Sequence, residues 1–210
     1  MTWSWIPENA AEIWQLAREN AFLGVVSALL GLVISLPLGI MAARWRWFHP
    51  PAVTTVNVLY AIPALALMVA LIPALGLTNT NVIVALTLYS LCVLVPNIVA
   101  GLRGVPEPVR QAATAMGYGQ SRRLVAVELP LAVPVIIGGL RVAMVSSISL
   151  ATIGQLIGVS SLGYLFIDGE QRDFLTEVYV GLACVVVLAL ACDLVLVGIR
   201  RVLTPWVARS

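Results

Sequence analysis

From Pro50 to Leu102 the chain runs fifty-three residues without an aspartate, glutamate, lysine or arginine. As a helix rising 1.5 Å per residue, that tract is far too long for one crossing of about 30 Å of hydrocarbon. It suits two crossings, 51–75 and 80–102, joined where Gly76-Leu77-Thr78-Asn79-Thr80-Asn81 breaks the apolar pattern. Both carry residues that a bilayer penalises. Pro63 and Pro73 interrupt the first and Pro96 the second, while Asn57, Tyr60, Tyr89 and Asn97 put polar groups at depth. Such groups need neighbouring helices or a wet cavity to satisfy them.

Three further tracts have the same length and character. Residues 20–43 carry no charge, 131–159 carry only Arg141, and 177–199, after Glu177 at the edge, carry only Asp193. The expected fold is therefore all-α, a polytopic membrane protein whose five transmembrane helices form one domain, 20–200. With 60% hydrophobic and 10% charged residues, the composition agrees, since soluble domains average about a quarter charged. Residues 1–19 hold Trp3, Trp5 and Trp14 among charged side chains and suggest an amphipathic helix on the membrane surface. Residues 160–176 read as an acidic loop, and 201–210 as a basic tail.

The charges also orient the bundle. The Arg44 loop, 103–128 and the C-terminus together hold nine arginines and two acids, whereas the N-terminal segment, the 76–81 turn and the acidic loop hold two arginines and seven acids. The positive-inside rule then gives an extracytoplasmic N-terminus and a cytoplasmic C-terminus.

Much chemistry is excluded. All twelve basic side chains are arginine, so there is neither a P-loop lysine nor a Schiff-base lysine. His49, Cys92, Cys184 and Cys192 show no metal-ligand or CxxC spacing, so no metal site is expected. The one histidine lies in a loop and the one acid at depth is Asp193, which leaves no nucleophile with a base. An enzyme is not expected, nor a cofactor bound by this chain.

The polar segment 106–130 separates the apolar tracts. Pro108 suits a helix start and Gly117 the residue past its end. Between them Val109, Ala112, Ala113 and Met116 share one face at i, i+3, i+4 and i+7. A helix this short does not stand alone, and its small apolar face calls for a groove on a partner.

On a helical wheel of 131–159, Arg141, Ser149, Thr152 and Gln155 share a polar face opposite a stripe of Ala143, Ser147, Ala151, Gly154 and Gly158. Arg141 has two readings. It pairs with Asp193 across the membrane, or it lines a translocation path where its charge disfavours inorganic cations.

The motifs carry a resemblance. Gln111-Ala112-Ala113, three residues, Gly117, nine residues, Val127, one residue, Leu129-Pro130 resembles the EAA coupling motif of ABC-importer permeases, with Gln for its Glu and Val for its Ile. Ala61-Ile62-Pro63-Ala64-Leu65-Ala66-Leu67, Leu88-Tyr89-Ser90, the run from Val127 to Ile136 and Gly139-Leu140-Arg141 resemble the osmoprotectant branch. In that branch Gly158-Val159-Ser160-Ser161-Leu162-Gly163 is usually the glycine-richer GAGGLG. A departure there bears on outer-loop flexibility, and the outer-loop residues Gly158, Ser160, Ser161 and Gly163 on the fit to a binding protein.

The resemblance implies a type I ABC importer permease fold with cytoplasmic coupling helices. The implied partners are a second permease, the same or homologous, two cytoplasmic ABC ATPases that bind ATP and Mg, an extracytoplasmic substrate-binding protein and the lipid bilayer, with no nucleic acid. Val109, Gln111, Ala112, Ala113, Met116, Gly117, Leu129 and Pro130 become candidate coupling residues. Candidate path residues are Asn57, Tyr60, Tyr89, Arg141, Ser149, Thr152 and Gln155. The implied solute is glycine betaine, choline, carnitine or proline betaine, and the alternative is methionine or another amino acid.

Overall fold

A computed structural model describes residues 5–205. The elements in order are α1 (Trp5–Glu8), α2 (Ala10–Arg44), α3 (His49–Ala61), α4 (Ala64–Leu75), α5 (Asn79–Arg103), α6 (Glu107–Ala115), α7 (Gln120–Arg123), α8 (Leu129–Ala151), α9 (Gly163–Gln171) and α10 (Leu175–Leu203). A π-helical turn, Leu124–Glu128, joins α7 to α8, and a 3₁₀ turn, Thr152–Ile157, follows α8. Four helical stretches among the described residues are long and apolar enough to cross a membrane, and the bent pair α3–α4 supplies a fifth crossing if counted as one.

The centre of the bundle is α2 against α5 and α8. The buried face of α2 is a stripe of small residues, Gly24, Ser27, Ala28, Gly31, Ser35, Gly39 and Ala42, which lets the backbones approach closely. A Cβ on Gly24 would stand 2.9 Å from Ile148 Cα, and one on Gly139 would stand 2.7 Å from Asn97 Cβ. Several polar groups within this packing are bonded locally or across it. Ser27 Oγ donates to Leu23 O at 2.6 Å, Asn20 Nδ2 donates to Ile148 O at 3.0 Å, and Ser90 and Ser147 hydroxyls meet at 3.1 Å. These bonds satisfy their groups in hydrocarbon, whereas the buried Ser35 Oγ has no partner.

The fold corrects the sequence reading in four places. The N-terminal segment is not a separate surface helix, because α2 runs unbroken for 35 residues from Ala10 and absorbs most of it. No Pro or Gly stands between Ala10 and Asn20 to stop the helix. Trp5 packs edge-on to Phe174 at 5.7 Å, Trp14 is exposed, and Trp3 lies outside the described residues, as do 206–210 of the tail.

The crossing 51–75 is broken. Pro63 has no N–H and forces the residue before it out of the helical region, so Ile62 sits at φ −75°, ψ 127° and the two halves bend by 97°. The crossing 131–159 begins earlier, since helix is continuous from Gln120 to Ile157. Pro130 cannot donate to the carbonyl of Ala126, and the wide π turn Leu124–Glu128 absorbs that lost bond. Finally, the acidic loop contains a helix, α9, packed on α10.

Candidate functional site

Two places collect the candidate residues, the exposed helix α6 and a cleft at the α3–α4 bend. Helix α6 starts after Pro106, takes Pro108 in its first turn and stops at Met116. Gly117 sits at φ +83°, where its N–H donates to Thr114 O at 2.9 Å while Tyr118 N–H donates to Ala113 O at 3.1 Å. A left-handed residue closing a helix in this way favours glycine. The nine-residue helix is pinned to the bundle by side chains: Arg123 Nη1 donates to Thr114 Oγ1 at 3.0 Å, and Arg123 Nε to Glu128 Oε1 at 2.8 Å.

The predicted apolar face is divided. Ala113 is 1% exposed and turns into the chain itself, whereas Met116 is 69% exposed and Val109, Gln111 and Ala112 are exposed beside it. Leu129 and Pro130 are half-buried at the foot of α8, where Leu129 packs on the main core. They anchor the segment and do not extend its free surface.

The cleft measures about 540 Å³. One wall is the bend itself, from Tyr60 to Ala64, and the others are Tyr89, Ser90 and Val93 of α5 and the α8 stretch 143–150. The Tyr60 and Tyr89 rings lie 6.1 Å apart, tilted by 58°, and the Tyr89 hydroxyl donates to Ile62 O, a carbonyl freed by the break. Among the described residues no charged side chain lines the cleft. It offers two aromatic faces and several hydroxyls, a surface for a cation that needs no hydrogen bonds.

Tyr60, Tyr89 and Ser149 therefore come together, and the other candidate path residues do not. Asn57 is exposed on α3, outside the lining. Arg141 lies outside the cleft's lining, where its Nε and Nη2 donate to Asp193 Oδ1 and Oδ2 at 2.6 and 2.7 Å. A bidentate pair of this kind uses both carboxylate oxygens. Thr152 donates to Ser149 O at 2.7 Å, and Gln155 borders a separate cavity with Glu12, Gln15, Ser160 and Tyr164.

The common polar face is thus corrected. It assumes α-helical spacing up to Gln155, but from Thr152 the chain is 3₁₀, with three residues per turn. The small-residue stripe breaks for the same reason: Gly154 is buried, whereas Gly158 ends the turn at φ +81° and is exposed. The cleft residues Ser90, Ser146 and Ser147 were missed, and the signal for them was the apposition of serines on two small-residue faces.

In the loop that follows the 3₁₀ turn, Ser160 is exposed and Ser161 is buried, its Oγ accepting from Gly163 N–H at 3.2 Å. A Cβ on Gly163 would overlap the Thr152 carbonyl oxygen. We expect Gly163→Ala to lower the midpoint of thermal unfolding by several degrees, read by tryptophan fluorescence in detergent, because the backbone has to move to admit one methyl group. An unchanged midpoint would show that the loop yields freely.

Residues 35–209 match the family described as binding-protein-dependent transport system inner membrane component. The osmoprotectant import permease protein OsmW of Salmonella typhimurium is 31% identical over 203 residues, covering 94% of each chain. The glycine betaine/carnitine/choline transport system permease protein OpuCD of Bacillus subtilis is 32% identical over 199 residues, covering 94% of this chain and 87% of that one. Among solved structures, the MetNI methionine ABC transporter in an inward-facing form aligns with a TM-score of 0.82 at 21% identity, over 97% of this chain and 100% of that one. That likeness speaks for the fold. A helical bundle with a bent crossing, a short exposed helix between crossings and a match over most of its length make this chain a member of the binding-protein-dependent transport system inner membrane component family.

Proposed function

We propose that the chain is the transmembrane permease subunit of an ATP-driven importer of osmoprotectants, taking glycine betaine, choline, carnitine or proline betaine. The observation that carries the solute class is the uncharged cleft with two tyrosine faces, in a chain about 30% identical to relatives named for osmoprotectants, glycine betaine, carnitine and choline. A quaternary ammonium cannot donate hydrogen bonds, so aromatic faces suit it. Without a carboxylate the grip is weak enough to release the solute in transit. The exposed side of Tyr60 lets a second permease close the cleft, so the path runs at a permease–permease interface.

In this reading the N-terminus is extracytoplasmic and α6 is cytoplasmic. Val109, Gln111, Ala112 and Met116 meet an ABC ATPase, one per permease, which alone holds ATP and Mg. A substrate-binding protein delivers solute at the opposite end, against Gly158 to Gly163. Closure of the ATPases drives the two α6 helices together and rocks the bundles, the rigid-body form of alternating access. Gln111 in place of the motif's glutamate lowers the charge offered to the ATPase.

The test is radiolabelled choline and betaine uptake at high osmolarity in cells lacking their own importers, with the chain expressed beside its ATPase and permease partners. ATP-dependent uptake that requires this chain is expected. Methionine uptake without either osmoprotectant would overturn the solute class and leave the permease role. Within the same assay, Tyr60→Ala is expected to cut choline uptake about tenfold and Tyr60→Phe to keep most of it, since the ring face and not the hydroxyl does the holding. Equal loss in both variants would refute the aromatic role.

A further inference from the structure

At the end of the bundle that carries α6, a further cavity of about 210 Å³ lies between the ends of α2 and α5 and the segment that follows α6. Its charged lining is Arg44, Arg103, Arg110 and Arg123 against one acid, Glu128, over an apolar floor that includes Ile40 and Leu102. Four positive charges around so small a space face a single negative one. Glu107 approaches Arg110 only to 3.8 Å and stands outside the lining.

The guanidiniums are held in place by few bonds. Arg44 donates to Gln120 Oε1, Arg103 Nη2 to Ala42 O at 3.1 Å, and Arg110 Nη2 to Leu102 O at 2.5 Å. Arg123 spends two donors on Glu128 and Thr114. A guanidinium has five N–H groups, so most of the donors around this cavity remain unspent. Holding four like charges together costs free energy that an anion would reverse. The carrying residues are also preorganised, since Arg44 and Arg103 are the last residues of α2 and α5 and bond across the bundle.

We propose that this cavity binds a phosphate-bearing anion, a role no part of the transport reading requires. Planar guanidinium forks match the oxygens of phosphate, and the net excess of positive charge suits it. The cavity opens where two membrane helices end, the depth of lipid headgroup phosphates, on the face the proposed orientation makes cytoplasmic. An anionic phospholipid headgroup and free phosphate share this chemistry. Bound there, the anion ties the coupling segment to the ends of α2 and α5.

The experiment is native mass spectrometry of the full-length chain in detergent, titrated with phosphatidylglycerol, phosphatidylcholine or inorganic phosphate. Phosphatidylglycerol is expected to stay bound where phosphatidylcholine is stripped. The Arg44→Gln/Arg103→Gln double variant is expected to lose the lipid roughly tenfold more readily, and Arg201→Gln, beyond the cavity, to behave as wild type. Glu128→Gln is expected to hold the lipid more tightly, a gain that misfolding cannot mimic. Release of the lipid by inorganic phosphate marks the phosphate group as the recognised part, and retention against it marks the lipid headgroup; both outcomes uphold the site. Equal loss in Arg201→Gln, no discrimination between the lipids, or unaltered binding in a monodisperse double variant overturns it. If the double variant instead loses only its ATPase in co-purification, an acidic side chain of that partner fills the cavity and the phosphate site is refuted. Lipid retention is read without transport, so the site can fail while the solute assignment stands, and the reverse.

Discussion

Gly117→Pro is expected to abolish solute uptake while leaving the chain in the membrane at normal abundance. Gly117 sits at φ +83°, and proline holds φ near −65°, so the turn that ends α6 cannot form. The substitution also deletes the N–H bonded to Thr114 O. Any L-residue in this conformation pays about 1–2 kcal/mol, and nothing lies within 4 Å of the position a Cβ would take, so the damage stays local to α6. Met116→Asp is the companion test. Its side chain is exposed, so a charge there strains nothing within the chain and acts only on what docks against it. Uptake per membrane-inserted chain, with abundance read by blotting, separates the two effects, and wild-type uptake in both variants would end the coupling role of α6. Ala113→Asp is the wrong probe, because Ala113 is buried and a charge there would disturb the fold itself.

Asp193→Ala is expected to reduce the amount of inserted chain several-fold. The change strands Arg141, which gives both carboxylate oxygens a bond, among α8 and α10 side chains in the hydrocarbon layer. The double variant Arg141→Leu/Asp193→Leu is expected to restore abundance, since replacing both members of a buried pair costs far less than orphaning one. If the double variant also restores uptake, the pair is structural and Arg141 takes no part in the path. If abundance returns and uptake does not, the charge pair serves transport.

How much of this was legible beforehand depends on the range of the interaction. The uncharged tract from Pro50 to Leu102 announces membrane helices because burial in hydrocarbon acts residue by residue. The ends of α6 were equally readable, since Pro108 and Gly117 act on their own backbone. Which of Ala112 and Ala113 faces outward was not, because neighbours on a helix differ by about 100° and both carry the same methyl group. The polar face of α8 failed where an α-helix tightens to 3₁₀, a change no periodicity analysis contains. The arginine cavity joins residues from 44 to 128, and only the fold brings them together.

The elbow at Ile62-Pro63 has a thermodynamic consequence. Helices of 13 and 12 residues reach only about 20 and 18 Å, so neither arm of the α3–α4 pair crosses the hydrocarbon alone, and the pair counted as one crossing carries its elbow within it. Irregular backbone at that depth survives only against protein or water. The Tyr89 hydroxyl caps one freed carbonyl, while Tyr60 on the outer side stays exposed. Under the proposed pairing of two permeases, a lone subunit in lipid carries an unsealed seam, and assembly becomes part of its stability. Dilution in the bilayer should unfold the elbow before it unfolds the bundle, making the surface density of the chain itself a determinant of how long each copy lasts.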